Sequence, residues 1–150
     1  MTTEIREFSF ELDRALCRQA EAAAYCAKND VEEVDDSEVN KALARIQTRL
    51  ESSSYHGFTV LENEVPVGLI FADSDFPEAQ AFIDNIYVLP SHRRRDIGSQ
   101  LVERVFALLK ERGVRHVDLM VTANNEPAIQ LYKSLGFEVK RLRMAKKLSS

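Results

Sequence analysis

The sequence predicts an α/β fold, a sheet of mixed direction with helices packed against it, in the order β-α-α-β-β-β-α-β-α-β. Three observations carry this expectation. The apolar period switches repeatedly along the chain between the ~3.6 residues of an amphipathic helix and the ~2 of a half-buried strand. No repeat, low-complexity tract or Pro/Gly/Ser-rich linker intervenes, so the 150 residues are expected to form one domain, 1–150. The composition, 45% hydrophobic and 29% charged, is that of a globular chain long enough to bury a core.

Each element has a local signal. Thr3 to Phe8 reads as a first strand, and Leu12 to Ala27 as an Ala-rich helix of high intrinsic propensity. Val39, Leu43, Ile46 and Leu50 make one apolar stripe of a second helix, with Asp36 or Ser37 as its N-cap. From His56 to Ala72, two β-rich runs flank Glu62-Asn63-Glu64 as an antiparallel hairpin, and Pro66 predicts an edge or irregular start for the second. Ala81 to Val88 is a third run, stopped by Pro90. Ile97, Leu101, Val105 and Leu108 share one face of a helix that Gly113 ends. Val114 to Val121 is a strand. A short helix, Glu126 to Leu135, starts with Asn125 as N-cap and Pro127 in its first turn, and Gly136 closes it. Phe137 to Met144 is the expected last strand.

Composition excludes several classes of function. A net charge of −4 and a pI near 5.5 argue against a nucleic-acid binder, which carries a basic surplus on its binding face. No apolar run approaches the ~18 residues of a membrane helix, and the N-terminal residues lack a signal peptide's apolar stretch. Cys17 and Cys26 fall in one predicted helix without metal-ligand spacing, so no metal site and no disulfide framework is expected. These readings together suggest a reducing, cytoplasmic setting without membrane partners.

The stretch Leu89-Pro90-Ser91-His92-Arg93-Arg94-Arg95-Asp96-Ile97-Gly98-Ser99 places three arginines just before a helix start. Cations are unfavourable beside the positive end of a helix dipole unless an anion shares the site. The unpaired N–H groups of the first turn and the guanidinium groups together form a cradle for phosphate or pyrophosphate. Neither a GxGxxG nor a GxxxxGK[ST] motif is present, which sets aside the dinucleotide and Walker alternatives.

The second half of the chain resembles the GNAT superfamily of acyl-CoA-dependent N-acyltransferases. The family's pyrophosphate loop, V-x-P-x-x-[RQ]-G-x-G-[IV]-[GA]-x-x-L, is matched by Val88, Pro90, Arg93, Ile97, Gly98 and Leu101. Its second signature, N-x-x-A-x-x-L-Y-x-x-x-G-F, is matched by Asn125, Ala128, Leu131, Tyr132, Gly136 and Phe137. The two motifs cover about residues 81 to 140. The resemblance implies a mostly antiparallel central sheet, acetyl-CoA as co-substrate, and direct attack of a primary amine of a small molecule or protein on the thioester. Two departures stand out: Arg94 and Asp96 replace the two loop glycines. Asp tolerates left-handed φ better than most residues, but its carboxylate repels pyrophosphate, which Arg94 and Arg95 compensate by pairing with Asp96 or with the phosphates.

The resemblance also implies roles. Backbone N–H groups around Ile86, Tyr87 and Val88 meet the thioester oxygen, and the loop from Arg93 through Arg94, Arg95, Asp96, Ile97 and Gly98 to Ser99 holds the pyrophosphate. Asn125 belongs to the cofactor arm, and Tyr132 serves the departing thiolate, a task suited to a phenol that stays protonated at neutral pH. Asp84 is the candidate general base, because residues 84, 86 and 88 are expected on one face of their strand. His92 and His116 are less suitably placed. The acidic segment Asp30 to Glu38 suggests a cationic acceptor, although the same charges suit the N-terminus of the second helix. The alternative function is a non-catalytic acyl-CoA-binding or sensing module, supported by Asp96 alone. A homodimer is compatible with either.

Overall fold

A computed structural model describes residues 3–93 and 95–149. The elements are β1 (Thr3–Glu7), α1 (Phe10–Asn29), α2 (Asp36–Arg49), β2 (Tyr55–Glu62), β3 (Val65–Phe76), β4 (Gln80–Val88), a 3₁₀ turn (Pro90–His92), α3 (Ile97–Glu111), β5 (His116–Leu119) and α4 (Glu126–Ser134). The sheet order is β1-β2-β3-β4-β5. The first three pairings are antiparallel and β4 with β5 is parallel, so the sheet is mixed and mostly antiparallel.

The hairpin follows from its turn. Asn63 and Glu64 both have positive φ, 51° and 70°, the backbone of a two-residue loop whose twist suits antiparallel strands. Pro66 cannot donate to the ladder, and the register slips there, from Val60↔Gly68 to Leu61↔Pro66. Helix α1 is pinned at its start. The Ser9 side chain accepts from the Leu12 N–H, and Asp13 receives two 2.7 Å hydrogen bonds from Arg6, one from the Ser9 N–H at 2.9 Å and one from the Thr59 hydroxyl at 2.7 Å.

Two apolar layers cover the sheet. On one face Leu16, Cys17 and Ala20 of α1 and Val39, Leu43 and Ile46 of α2 pack on Tyr55, Leu69 and Phe71. On the other, Ile97, Leu101, Val102, Val105 and Leu109 of α3 pack on Val60, Ile70, Ala81 and Ile83. Helix α2 thus buries Val39, Leu43 and Ile46, and α3 buries Ile97, Leu101 and Val105, of the stripes their spacing predicts.

The strand expected over Phe137 to Met144 is not formed; no helix or strand occurs among the described residues after α4. The apolar alternation slips at Lys140-Arg141, so Val139 falls out of phase with Leu142 and Met144, and no register gives this segment one apolar face. Val139, Leu142 and Met144 are 64%, 80% and 90% exposed. Strand β5 is also shorter than the predicted Val114 to Val121 and offers a four-residue edge.

Candidate active site

Strand β4 organises the site through two irregularities. It pairs with β5 only from Gln80 to Ile83, so from Asp84 to Val88 that edge of β4 faces a gap in the sheet. In its register with β3, Phe71↔Asn85 is followed by Ala72↔Ile83, which leaves Asp84 as the extra residue of a bulge. The bulge resets the alternation of side chains. Ile83, Ile86 and Val88 belong to the α3 layer, Tyr87 to the α1–α2 layer, and both Asp84 and Asn85 bond toward α1 and α2. The expected common face of residues 84, 86 and 88 is therefore not formed: one inserted residue moves Asp84 to the opposite side from Ile86 and Val88.

At the C-terminal end of β4 the chain turns through the arginine loop. Arg93 donates from Nε to the Val88 carbonyl at 3.0 Å and holds its guanidinium 5.8 Å from the Tyr87 ring centre, tying the loop back to the strand. Arg95 donates to Glu62 of the hairpin at 3.1 Å, and the His92 Nε2 lies 3.6 Å from the same carboxylate. Arg94 lies outside the described residues. Asp96 adopts left-handed backbone, φ 60° and ψ 12°, and its side chain makes no capping bond to α3. The first-turn N–H groups of Ile97, Gly98 and Ser99 are therefore left without a side-chain cap. Ile97 is buried and anchors the turn. Gly98 is where α3, α4 and β4 meet: a Cβ there would stand 3.0 Å from Leu131 and 4.0 Å from Ile86.

Helix α4, which meets this junction through Leu131, carries the predicted pair Asn125 and Tyr132. Asn125 is the N-cap, accepting from the Ala128 N–H at 3.4 Å, with Pro127 in the first turn. Tyr132 is 8% exposed, its ring edge-on to Phe137, which packs in turn on Phe106 of α3. Its hydroxyl has no hydrogen-bond partner among the described residues. Burial pushes the phenol up to about 12, so it carries its proton across the physiological range.

The opposite side of the gap holds residues that sequence reasoning missed. Asp84 Oδ2 accepts from Arg49 of α2 at 2.9 Å and from the Tyr55 hydroxyl at 2.8 Å. Arg49 also donates to Asp73 at 2.9 Å and covers the Tyr55 ring at 4.2 Å. Glu21 of α1 accepts from the Asn85 amide at 2.7 Å, and burial raises its carboxyl above the usual range. A signal for Glu21 existed: it lies one turn after the buried Cys17 and directly after the buried Ala20, a carboxylate on the inward edge of an apolar stripe. No local signal marks Arg49, Tyr55 or Asp73, which meet only through the sheet. The acidic segment contributes little here: Asp35 caps α2 without a side-chain bond, and Asp36, 96% exposed, stands 3.9 Å from Arg18.

A splayed strand ending in a guanidinium-lined loop and an uncapped helix start can receive an extended anionic ligand, with its distal end threaded along the open edge of β4. Among the described residues, no group of three or more His, Cys, Asp or Glu side chains is placed to hold a metal ion, and no helix is long and apolar enough to cross a membrane.

Comparison with known proteins agrees with this geometry. An uncharacterized N-acetyltransferase of Methanocaldococcus jannaschii is 39% identical over a match of 103 positions that covers 61% of this chain and 46% of that protein. The [ribosomal protein bS18]-alanine N-acetyltransferase of Escherichia coli K12 is 33% identical over 93 residues, 62% of each chain. The chain thus spans about half the length of these curated relatives. The solved PaiA N-acetyltransferase of Thermoplasma acidophilum, in complex with coenzyme A, shares the fold at 18% identity, with a TM-score of 0.75 over 95% of this chain and 94% of that one. The acetyltransferase (GNAT) family model matches residues 14–137, which include the whole of the β4 gap, the arginine loop and α4, and the chain belongs to that family.

Proposed function

We propose that the protein is an N-acetyltransferase that moves the acetyl group of acetyl-CoA to a primary amine of a small molecule or protein by direct attack. The observation that carries this reading is the coincidence, on one strand, of the open β4 edge beyond Ile83 and the uncapped start of α3 behind the arginine loop. Acetyl-CoA supplies an activated thioester. For the chain's own part, Arg93, Arg95 and the N–H groups of Ile97, Gly98 and Ser99 fit its pyrophosphate by charge and donor geometry, with Arg94 assigned by the family motif alone. The backbone from Ile86 to Val88 supplies donors at the open edge, Asn125 fixes the start of α4, and Tyr132 holds a proton for the departing thiolate. The relatives' names, a [ribosomal protein bS18]-alanine N-acetyltransferase in E. coli and an aminoglycoside N-acetyltransferase among solved structures of this fold, support an amine acceptor here.

A second reading, an acyl-CoA-binding module without turnover, is favoured by one observation: Asp96 places a carboxylate at the helix end that the phosphates need. One experiment separates the two. Calorimetric titration with acetyl-CoA is expected to give binding in the micromolar range, weakened about 10- to 100-fold by Arg93→Ala, the equivalent of the ~1.5–3 kcal/mol of a hydrogen bond to a charged group. Thiol release is then followed with neamine, spermidine and a peptide bearing N-terminal alanine. Release with any of them supports the transferase; binding with no release supports the binding module; no binding at millimolar acetyl-CoA refutes both.

A further inference from the structure

Among the described residues, four carboxylates are largely withdrawn from solvent, and three of them are matched by a cation. Asp13 is paired with Arg6 at 2.7 Å, Asp73 with Arg49 at 2.9 Å, and Glu62 with Arg95 at 3.1 Å. Glu21 is the exception. Among the described residues it has no cation within ion-pair distance, and its one hydrogen bond comes from a neutral amide, that of Asn85, to one of its two oxygens. A desolvated carboxylate in that position is an acceptor waiting for a positive group.

Its position says which positive group. Asn85 lies in the part of β4 that has lost β5 as a neighbour, and the bulge at Asp84 turns it toward α1. The Glu21 carboxylate is thereby held at the open stretch of β4 from the α1–α2 side, while Tyr132 belongs to α4 on the α3 side, its ring against Phe137, which packs in turn on Phe106. The attacking amine and the departing thiolate are bonded to the same carbon at mid-reaction and project from it in different directions, so a proton acceptor and a proton donor on opposite sides of the sheet match what the reaction asks for. Asp84 is less free to act. Both donors it meets, Arg49 and Tyr55, address the same oxygen, and the Arg49 guanidinium sits against it as a permanent counter-ion.

Resting on the transferase reading, we infer that Glu21 is the group that binds the acceptor's ammonium and takes its proton, with Asn85 as the positioning residue that aims it. The step balances. The ammonium gives one proton to the Glu21 carboxylate, leaving a neutral amine and a carboxylic acid. The amine nitrogen then bonds to the thioester carbon as the C–S bond breaks. Tyr132 gives its proton to the thiolate sulfur and is restored by the second proton lost from nitrogen. The charged and titratable groups facing Glu21 are Asp84 from β4, Arg45 and Arg49 from α2, Tyr55 from β2 and Cys17 on its own helix. Burial and the Asp84 charge push the Glu21 carboxyl up, while the Asn85 bond and the two arginines oppose them, and the balance is a raised value.

The test uses the full chain with the same three amines, at saturating acetyl-CoA and across pH 5 to 9. Glu21→Gln keeps an acceptor oxygen for Asn85, and it is expected to lower kcat at least ~100-fold while leaving the Kd for acetyl-CoA within about twofold. In that variant the acidic limb of the kcat/KM profile gives way to a rise that follows the fraction of free amine. Asn85→Ala, which removes a bond that favours the charged carboxylate, is expected to move the acidic limb to higher pH, whereas Asp84→Asn keeps the limb and moves it to lower pH. Wild-type turnover that Glu21→Gln leaves within threefold overturns the inference and spares the transferase. Acetyl-CoA binding with no turnover of any amine overturns the transferase reading and the inference with it.

Discussion

Replacing Tyr132 with phenylalanine separates what the residue does for packing from what it does for chemistry. The ring is 8% exposed and meets Phe137 edge-on with centres 5.8 Å apart, and phenylalanine preserves both. The hydroxyl has no partner among the described residues, so its removal breaks no hydrogen bond. The expected change in stability at pH 7 is within ~0.5 kcal/mol, a shift of about 1–2 °C in Tm. Alkaline pH adds a second signature. The folded chain holds the phenol at about 12 against the ordinary 10.0, so it binds that proton more tightly than the unfolded chain does. The stability this represents is intact below pH 10 and is lost as pH rises from 10 to 12, roughly 2 kcal/mol, and the phenylalanine variant is spared that loss. Turnover is expected to fall by ~10²–10⁴, the usual contribution of a positioned general acid, with the Kd for acetyl-CoA unchanged. Thermal unfolding at pH 7 and pH 11, calorimetry and a thiol-release assay on the same preparations provide all the readings. A kcat within threefold of wild type refutes the proton-donor role, and a Tm drop of more than ~4 °C at pH 7 shows that the hydroxyl is bonded after all.

Two further perturbations probe the frame and the loop. Arg6→Met leaves Asp13, 1% exposed, with only the Ser9 N–H and the Thr59 hydroxyl, and is expected to cost about 3–5 kcal/mol in urea unfolding; a change below 1 kcal/mol refutes this. Burial alone would raise the Asp13 carboxyl, but the bonds from Arg6, Ser9 and Thr59 outweigh it and hold it below its usual 3.8, so the stability it lends is present above that pH and lost as pH falls below it, more shallowly in the variant. Asp96→Gly removes a carboxylate from the start of α3 and relieves its φ of 60°, so it is expected to tighten acetyl-CoA binding severalfold and to raise stability by up to ~1 kcal/mol. Calorimetric affinity that stays the same or weakens in this variant shows that the carboxylate does not repel the phosphates.

What the sequence made legible was what depends on neighbours along the chain. The stripe from Ile97 to Leu108, the Asn125 cap and the turn at Asn63-Glu64 are local patterns, and each stands where it was expected. Both family motifs are local too, which is why the loop before α3 and the start of α4 could be located along the chain. The last strand failed because strand formation needs a partner edge as well as a pattern, and here the pattern slips at Lys140-Arg141 while β5 offers only His116–Leu119. The face of Asp84 failed for a similar reason: a bulge is a property of two paired strands, and the sequence of β4 alone does not announce it.

The bulge also explains how one strand serves two faces of the site. In an unbroken strand, Ile83 and Asn85 would share a face, and Ile86 and Val88 would turn away from the α3 layer that they now help to fill. The extra residue at Asp84 corrects the parity, so that two consecutive polar side chains, Asp84 and Asn85, reach α2 and α1 while the apolar residues on either side return to α3. The proposed cofactor end requires the second condition, because Ile86 lies against Gly98 at the start of α3. The proposed acceptor end requires the first, because among the described residues the Asn85 amide is what draws the Glu21 carboxylate to β4. A single inserted residue therefore couples the two ends: any change that removes the bulge moves Asn85 away from Glu21 and Ile86 away from Gly98 in the same step.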